Sequence, residues 1–345
     1  MDRPKVAVIV LNWNGLADTL GCLESLRGLR YPNFATFVVD NGSEDGSADA
    51  LQELEGEITL IRSPENTGYA GGNNLAIAAA TQTDPDFFWL LNNDCVVDPE
   101  SLDRLVDFAS ATASAGLISP AVHSRENPEA IQQIGYLIDR RNRTLIERNN
   151  LEPAQRDRAD SDRIAVSGAA VFASRATLSD IGLFDERYFA YWEDIDLSQR
   201  ALSSGYRNFY LPDAKVFHRS PYIGGRINRK PYYYYYMCRN FFLFWRKSLH
   251  PLSFVSLLRS HLVYTLQQAG ECLAHGNREG LEACLDGAWA AWSGHYGKWD
   301  TSVRMPATIR SLLLSHPFLA LSLLKGDLKG VVDLIAAKAR RKKAP

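Results

Sequence analysis

The first third of the chain alternates continuous apolar runs with stretches of helical period. Val6–Leu11 is apolar throughout, the pattern of a strand buried on both faces. The polar break Asn12-Trp13-Asn14-Gly15 follows, and apolar residues then return at helical spacing from Leu16 to Leu29. The cycle repeats with a strand over Phe34–Val39, a break at Asp40-Asn41-Gly42-Ser43, a helix over 47–55 and a short strand over Ile58–Arg62. Phe87–Leu91 reads as a further buried strand, Ser101–Ser110 as a helix and Leu117–Pro120 as another strand. This alternation predicts an α/β fold with a mostly parallel sheet and right-handed crossovers. Ligands of such sheets bind beyond the carboxyl ends of the strands. The polar clusters Asn12–Gly15, Asp40–Ser43 and Asn66–Asn74 all fall there.

Residues 123–162 are polar, with one apolar stretch at Ile134–Ile138, and predict a mobile connection containing a hairpin, long enough to be a functional loop or lid. Arg163–Ser174 reads as one buried strand carrying the small residues Ser167-Gly168-Ala169-Ala170, and Ala214–His218 as a short strand ending in a histidine. Beyond it the pattern turns helical. Residues 232–247 are apolar almost all round as a helix, and Pro251–Gln268 carries a stripe of Leu252, Val255, Leu258, Leu262 and Leu266. Residues 312–337 add apolar helical pieces that run into Lys338 and Arg340–Lys343. The expected division is an α/β domain over 1–225 and a helical region over 226–345.

Composition is that of an ordinary globular chain: 345 residues, 46% hydrophobic and 23% charged, enough for a large core. The net charge of −2 hides an uneven distribution, with 16 acids against 5 bases in residues 1–100 and 2 acids against 10 bases in 201–275. Bases interleaved with aromatics in the later stretch suggest a peripheral contact with an anionic membrane surface; helix packing or a homo-oligomer contact is the alternative. No nucleic-acid-binding motif accompanies them. Five scattered cysteines without metal spacing predict reduced thiols and a cytoplasmic setting, peripheral on the inner face of the cell membrane if the surface contact holds. The first apolar run is too short for a signal peptide, and no stretch reaches the roughly 18–20 apolar residues of a membrane span.

Three stretches carry candidate chemistry. Tyr188–Arg200 leads from aromatics into Glu193, Asp194 and Asp196 at a helix start, where a partly desolvated carboxylate can serve as a general base and an N-terminal cap is the simpler reading. Asn66–Asn74 is glycine-rich and precedes a helix at Leu75–Ala80, but it is neither a dinucleotide fingerprint nor a P-loop. Asn92-Asn93-Asp94 ends a core strand, a placement suited to holding a hard cation through oxygen while phosphates complete its shell.

In their order along the chain, VIVLNWNG (8–15), VVDNGSEDGS (38–47), NTGYAGGNN (66–74), LLNNDCVVDP (90–99), GLFDERYFAYWEDIDLSQR (182–200) and VFHRS (216–220) resemble the family 2 glycosyltransferases of the GT-A fold, within them the bacterial rhamnosyltransferase-like branch. The resemblance covers roughly residues 5–220. It implies an inverting transfer from a nucleotide-diphosphate sugar to a hydroxyl of a glycan or lipid-linked acceptor, with L-rhamnose from dTDP-rhamnose as the expected donor; a UDP-hexose-dependent enzyme or a non-catalytic nucleotide-sugar-binding protein are the alternatives. It implies a donor half over about 1–120 and an acceptor half over about 121–225. Asp40 matches the acid that contacts base or ribose, with Asn12 and Asn14 near the same pocket; Asn66, Gly71, Asn73, Asn92 and Asn93 are further donor-site candidates. Asp94 and His218 match the ligands of a divalent cation, Mg2+ or Mn2+, although the first acid of the usual DxD motif is Asn92 here. Asp194 matches the catalytic base, with Glu193 beside it as an orienting or alternative acid. Trp192, Asp196 and Arg239 are the acceptor-side candidates, each with a structural alternative: core packing, a capping or ion-paired role, and helix packing.

Overall fold

The computed structural model describes residues 3–150, 163–219, 222–223, 226–227, 229–247 and 254–315. The chain forms two compact units, Met1–Asn228 and Arg229–Pro345.

The first unit is built on a nine-stranded sheet. Its strands are β1 (Val6–Asn12), β2 (Phe34–Asn41), β3 (Thr59–Ser63), β4 (Phe87–Asn92), β5 (Cys95–Val97), β6 (Ala115–Ser124), β7 (Ile131–Gln133), β11 (Ala170–Ser174) and β12 (Arg207–His218). They lie in the order β3-β2-β1-β4-β11-β6-β12-β5, with β7 added to β6. The first four are parallel, β11 runs antiparallel to both β4 and β6, and β12 runs parallel to β6. This is the mixed, mostly parallel sheet of the GT-A fold. The continuous apolar runs have a direct cause. Val6, Val8 and Val10 enter one core cluster while Ala7 and Ile9 enter the other, so both faces of β1 are covered by apolar packing.

Helices α1 (Leu16–Arg27), α2 (Ser47–Gln52), α3 (Gly68–Thr81), α4 (Ser101–Ala111), α5 (Arg175–Ile181) and α6 (Glu193–Ser203) fill the connections. Three boundaries differ from expectation. Helix α3 begins at Gly68, inside the glycine-rich stretch, because Gly68 takes a left-handed φ of +76° as the helix opens. The run 163–174 is two strands, β10 (Ile164–Ala165) and β11, parted by a turn at Ser167-Gly168. The hairpin expected within 123–162 is present, β8 (Tyr136–Asp139) with β9 (Thr144–Glu147), and β10 adds a third strand to it. The rest of the expected loop, 151–162, lies outside the described residues. Finally, 207–218 is one long strand interrupted by register shifts. A short pairing of β13 (Tyr222–Ile223) with β14 (Arg226–Ile227) closes the unit.

The second unit is helical: α7 (Pro231–Lys247), α8 (Phe254–Ala274), α9 (Arg278–Ser293) and α10 (Ala307–Ser315). The buried face of α8 shares Leu266 with the leucine stripe but is otherwise offset from it. It runs through Leu257, His261, Thr265, Leu266, Ala269 and Cys272, while Val255 is 79% exposed. Buried His261 accepts from the indole N–H of Trp292 at 2.9 Å, and its other nitrogen lies 2.7 Å from the Cys238 carbonyl. Burial draws its pKa down to about 4, so the ring packs as a neutral polar link between helices. No helix among the described residues is long and apolar enough to cross a membrane. Leu252 and the basic tail beyond 315 lie outside the described residues.

Candidate functional site

The turn before α6 gathers three of the non-glycine residues with positive φ among the described residues. Phe189, Tyr191 and Trp192 have φ of +64°, +66° and +75°, each a left-handed conformation that a bulky residue holds only under constraint. The constraint comes from the glycine-rich stretch. The Ala70 N–H donates to the Phe189 carbonyl at 3.1 Å, and a Cβ on Gly68 would sit 2.3 Å from that same oxygen. Asn74 ties the two segments again, donating to the Phe184 carbonyl and to Glu186 Oε1 at 2.9 Å each.

This strained turn delivers Asp194. Its Oδ2 accepts from the Gly168 N–H and its Oδ1 from the Ile195 N–H, both at 2.8 Å. A Cβ on Gly168 would lie 3.0 Å from Oδ2, so the small residue permits the approach. The side chain stays partly exposed. Desolvation raises its pKa to about 6 against the pull of the backbone hydrogen bonds, which leaves a carboxylate that is ionised at neutral pH yet basic enough to take a proton. Its neighbour Glu193 is only 5% exposed, and Oε2 meets no hydrogen-bond partner among the described residues. Desolvation, then the charge of Asp194, push Glu193 well above the usual carboxylate range, so it is the member of the pair that keeps a proton.

The second centre lies at the end of β4. Asp94 Oδ1 is 3.1 Å from His218 Nε2, and the Asn92 amide nitrogen is 3.3 Å from the same ring atom. Gln132 Oε1 lies 3.3 Å from His218 Nδ1. In the tautomer whose Nδ1–H donates to Gln132, Nε2 is free to accept, from the Asn92 amide here or toward a cation held between it and Asp94, while the second nitrogen is fixed. Cys95 Sγ also falls within the cluster, all ligand atoms lying within 4.8 Å of one another. However, it is buried, donates to the Ala169 carbonyl, and is held well above its ordinary pKa by desolvation and by Asp94, so it remains a thiol. Carboxylate, imidazole and amide without thiolate fit Mg2+ or Mn2+.

Two adjacent residues join the centres. The Gly168 N–H holds Asp194, and the Ala169 carbonyl accepts from the Asn92 N–H at 3.0 Å. Asp194 and the strand end are thus anchored on consecutive residues, with Cα atoms about 3.8 Å apart.

The remaining predicted residues divide by what holds them. Asn12 is fully buried; its amide donates to Asp40 Oδ1 at 2.9 Å and to Ser43 Oγ at 3.1 Å, and its oxygen accepts from Thr19. Asp40 also accepts from the Ser43 N–H. Asn14 is exposed and caps the Glu44 N–H. Asn66 accepts from the Gly68 N–H and from Asn41, while Asn93 donates to Thr19 and the Gly15 carbonyl. Gly71 lets Thr67 close over the turn, since a Cβ would meet Thr67 Cβ at 2.8 Å. Asn73 donates to the Tyr69 carbonyl, but its buried Oδ1 meets no partner among the described residues. Trp192 is 4% exposed, and Asp196 is ion-paired with Arg200 at 2.9 Å and accepts from Tyr188, the contacts of packing rather than of a surface that meets an acceptor. Arg239 belongs to the helical unit, where it is fully buried, donates to Asn240 Oδ1 and the Gly297 carbonyl, and stacks on Tyr236.

Sequence reading did not single out Asn41, Tyr69 or Gln132. Asn41 stands inside a recognised motif, and its amide bridges to Asn66 and Gly68. Tyr69 donates to the Gly168 carbonyl at 2.6 Å. Gln132 sits in a polar stretch with no local signal at all.

Comparison with known proteins bears on this geometry. The family model of glycosyl transferase family 2 matches residues 7–174. The N-acetylglucosaminyl-diphospho-decaprenol L-rhamnosyltransferase of Mycobacterium tuberculosis is 30% identical over 215 residues, covering 56% of this chain and 68% of that protein. The pre-mycofactocin glycosyltransferase of the same organism is 29% identical, covering 66% of this chain and 46% of that one. Among solved structures, a mannosyltransferase from Pyrobaculum calidifontis in complex with GDP-Man and Mn2+ aligns with a TM-score of 0.53 at 18% identity, over 100% of this chain and 89% of that one.

Proposed function

Since the chain belongs to glycosyl transferase family 2 and is a glycosyltransferase, we propose that it transfers L-rhamnose from dTDP-rhamnose, with inversion, to a hydroxyl of a lipid-linked glycan in cell-surface polysaccharide synthesis. The observation that carries the catalytic part is the anchoring of Asp194 and of the Asn92–Asp94 strand end on consecutive residues, Gly168 and Ala169. A base and a diphosphate-binding wall on so short a bridge suit a direct displacement at a sugar carbon between them. The mycobacterial relative's name supports the choice of sugar and of a polyprenyl-diphosphate acceptor.

In the proposed step Asp194 takes the proton of the acceptor hydroxyl as its oxygen bonds to the anomeric carbon and the bond from that carbon to the diphosphate oxygen breaks. The backbone N–H groups of Gly168 and Ile195 hold the carboxylate in place without donating a competing side-chain proton. Asp94 Oδ1 and His218 Nε2 are the atoms that would hold Mg2+ or Mn2+, and such an ion supplies charge neutralisation for the departing diphosphate. Asn92 in place of an acid lowers the negative charge of that wall. Asp40, buried against Asn12 and Ser43, shapes the nucleoside end.

The test is a donor panel: dTDP-rhamnose, UDP-hexoses and GDP-mannose, each with a synthetic polyprenyl-diphospho-N-acetylglucosamine and Mn2+, Mg2+ or EDTA, read by product mass. Rhamnosyl product from dTDP-rhamnose is the expected result. Product from UDP-hexoses alone would overturn the donor assignment, and nucleotide binding without product from any donor would favour a non-catalytic binder. Sedimentation with anionic liposomes addresses the membrane contact that such an acceptor requires.

A further inference from the structure

Two arginines flank the Asp94–His218 centre and share one carboxylate. Arg125 is fixed by its backbone N–H on the His218 carbonyl at 3.0 Å, and its guanidinium donates to the Asp94 carbonyl at 3.3 Å. The same guanidinium stands 3.7 Å from Asp18 Oδ1 in the first turn of α1. Arg219, next in sequence to His218, meets that same oxygen at 2.5 Å. Gln132, which holds the His218 ring, also donates to the Arg219 carbonyl at 3.3 Å. Asp18 therefore gathers two cations from different strand ends against the wall where Asp94 and His218 meet.

Two guanidiniums share one carboxylate, Asp18, and the position that would carry a second acid beside Asp94 is Asn92. Neither arginine is sealed in, with side chains 32% exposed for Arg125 and 56% for Arg219, while Asp18 is 22% exposed. A planar guanidinium held at one edge keeps its other N–H groups for a second acceptor, and phosphate oxygens are the acceptors its fork suits best.

Resting on the transferase reading above, we propose that Arg125 and Arg219, held by Asp18, bind the diphosphate of the donor and of the released nucleotide, and take over part of the charge neutralisation that a metal ion, held by one acid fewer because residue 92 is Asn, would otherwise supply. Asp18 is then a positioning residue that acts through the two arginines. The chain consequently binds nucleoside diphosphate with measurable strength in EDTA, and binds it more tightly than the nucleoside.

Isothermal titration of the full chain with dTDP, UDP and thymidine, each with Mn2+ or EDTA, tests this. In R219Q and R125Q the affinity for the diphosphate is expected to fall by about tenfold or more in both conditions, as for loss of a charge-assisted contact, with thymidine binding unchanged. R125K should recover only part of the loss, because an ammonium lacks the fork. Arg219 is exposed enough that R219Q keeps the fold even if R125Q does not. Diphosphate affinity unchanged in R219Q and R125Q, with the wild-type chain binding it, would overturn the arginine role while leaving the transferase reading intact. A wild-type chain that binds no nucleotide under any condition would overturn both.

Discussion

The Glu193–Asp194 corner and the Asn92–Asp94 strand end are both acidic ends of elements, yet they are built in opposite ways. Asp194 is held by backbone N–H groups behind three strained residues and beside an acid with an oxygen that meets no partner among the described residues. Asp94 stands among side chains, with His218, Asn92 and Gln132 in reach and two arginines behind, and remains about a quarter exposed. The proposed roles fit this difference: a base needs a raised proton affinity and a fixed direction, which burial and backbone donors provide, and a wall proposed to bind cation and phosphate needs charges that can exchange partners when ligand arrives, which partly exposed side chains provide.

The sharpest way to break the comparison is at the base. Asp194→Asn is expected to lower kcat by about 10²–10⁴ with nucleotide affinity retained, measured by turnover and calorimetry. The pH profile carries the same information: a carboxylate acts as base only when ionised, and its raised pKa means that kcat/KM falls as pH drops through about 6 rather than near 4. A profile flat down to pH 4.5 would remove Asp194 from the role. At the other centre, Gln132→Leu frees the His218 ring and should weaken Mn2+ binding about tenfold, read as the metal concentration giving half-maximal turnover, with the pH profile unmoved. Gly68→Ala tests the strained turn, since its Cβ would press on the Phe189 carbonyl; a loss of roughly 1–3 kcal/mol in urea unfolding is expected, with activity falling alongside. Glu193→Gln should do the reverse. The buried acid must take up a proton on folding at neutral pH, so its contribution is most favourable below the unfolded carboxyl pKa and declines as pH rises. The amide should therefore stabilise the protein by about 1 kcal/mol at pH 7, with the difference vanishing near pH 4.

How much of the fold could be read in advance follows from the range of the forces. The strands at 6–12, 34–41 and 87–92 were visible because a run buried on both faces is apolar without a break, a property of neighbours in sequence. The start of α3 was missed because Gly68 and Asn66 close the turn through a tertiary contact with Phe189 that no local pattern records. The packed face of α8 was not legible because it includes a polar histidine, paired to Trp292 and Cys238 across the helices, that no apolar period marks.

What the amino-acid order determined by itself is therefore the α/β alternation, the polar clusters at strand ends and the acidic start of α6, all set by periodicity and by motifs a few residues long. Which acid is the more deeply desolvated, what holds the His218 ring and which cations stand behind Asp94 were decided only by the tertiary structure. These depend on Gly168 meeting Asp194, Gln132 meeting His218, and Asp18 meeting an arginine 201 residues away. Burial and electrostatic pairing act through space, and the chain brings those partners together only once the sheet has formed.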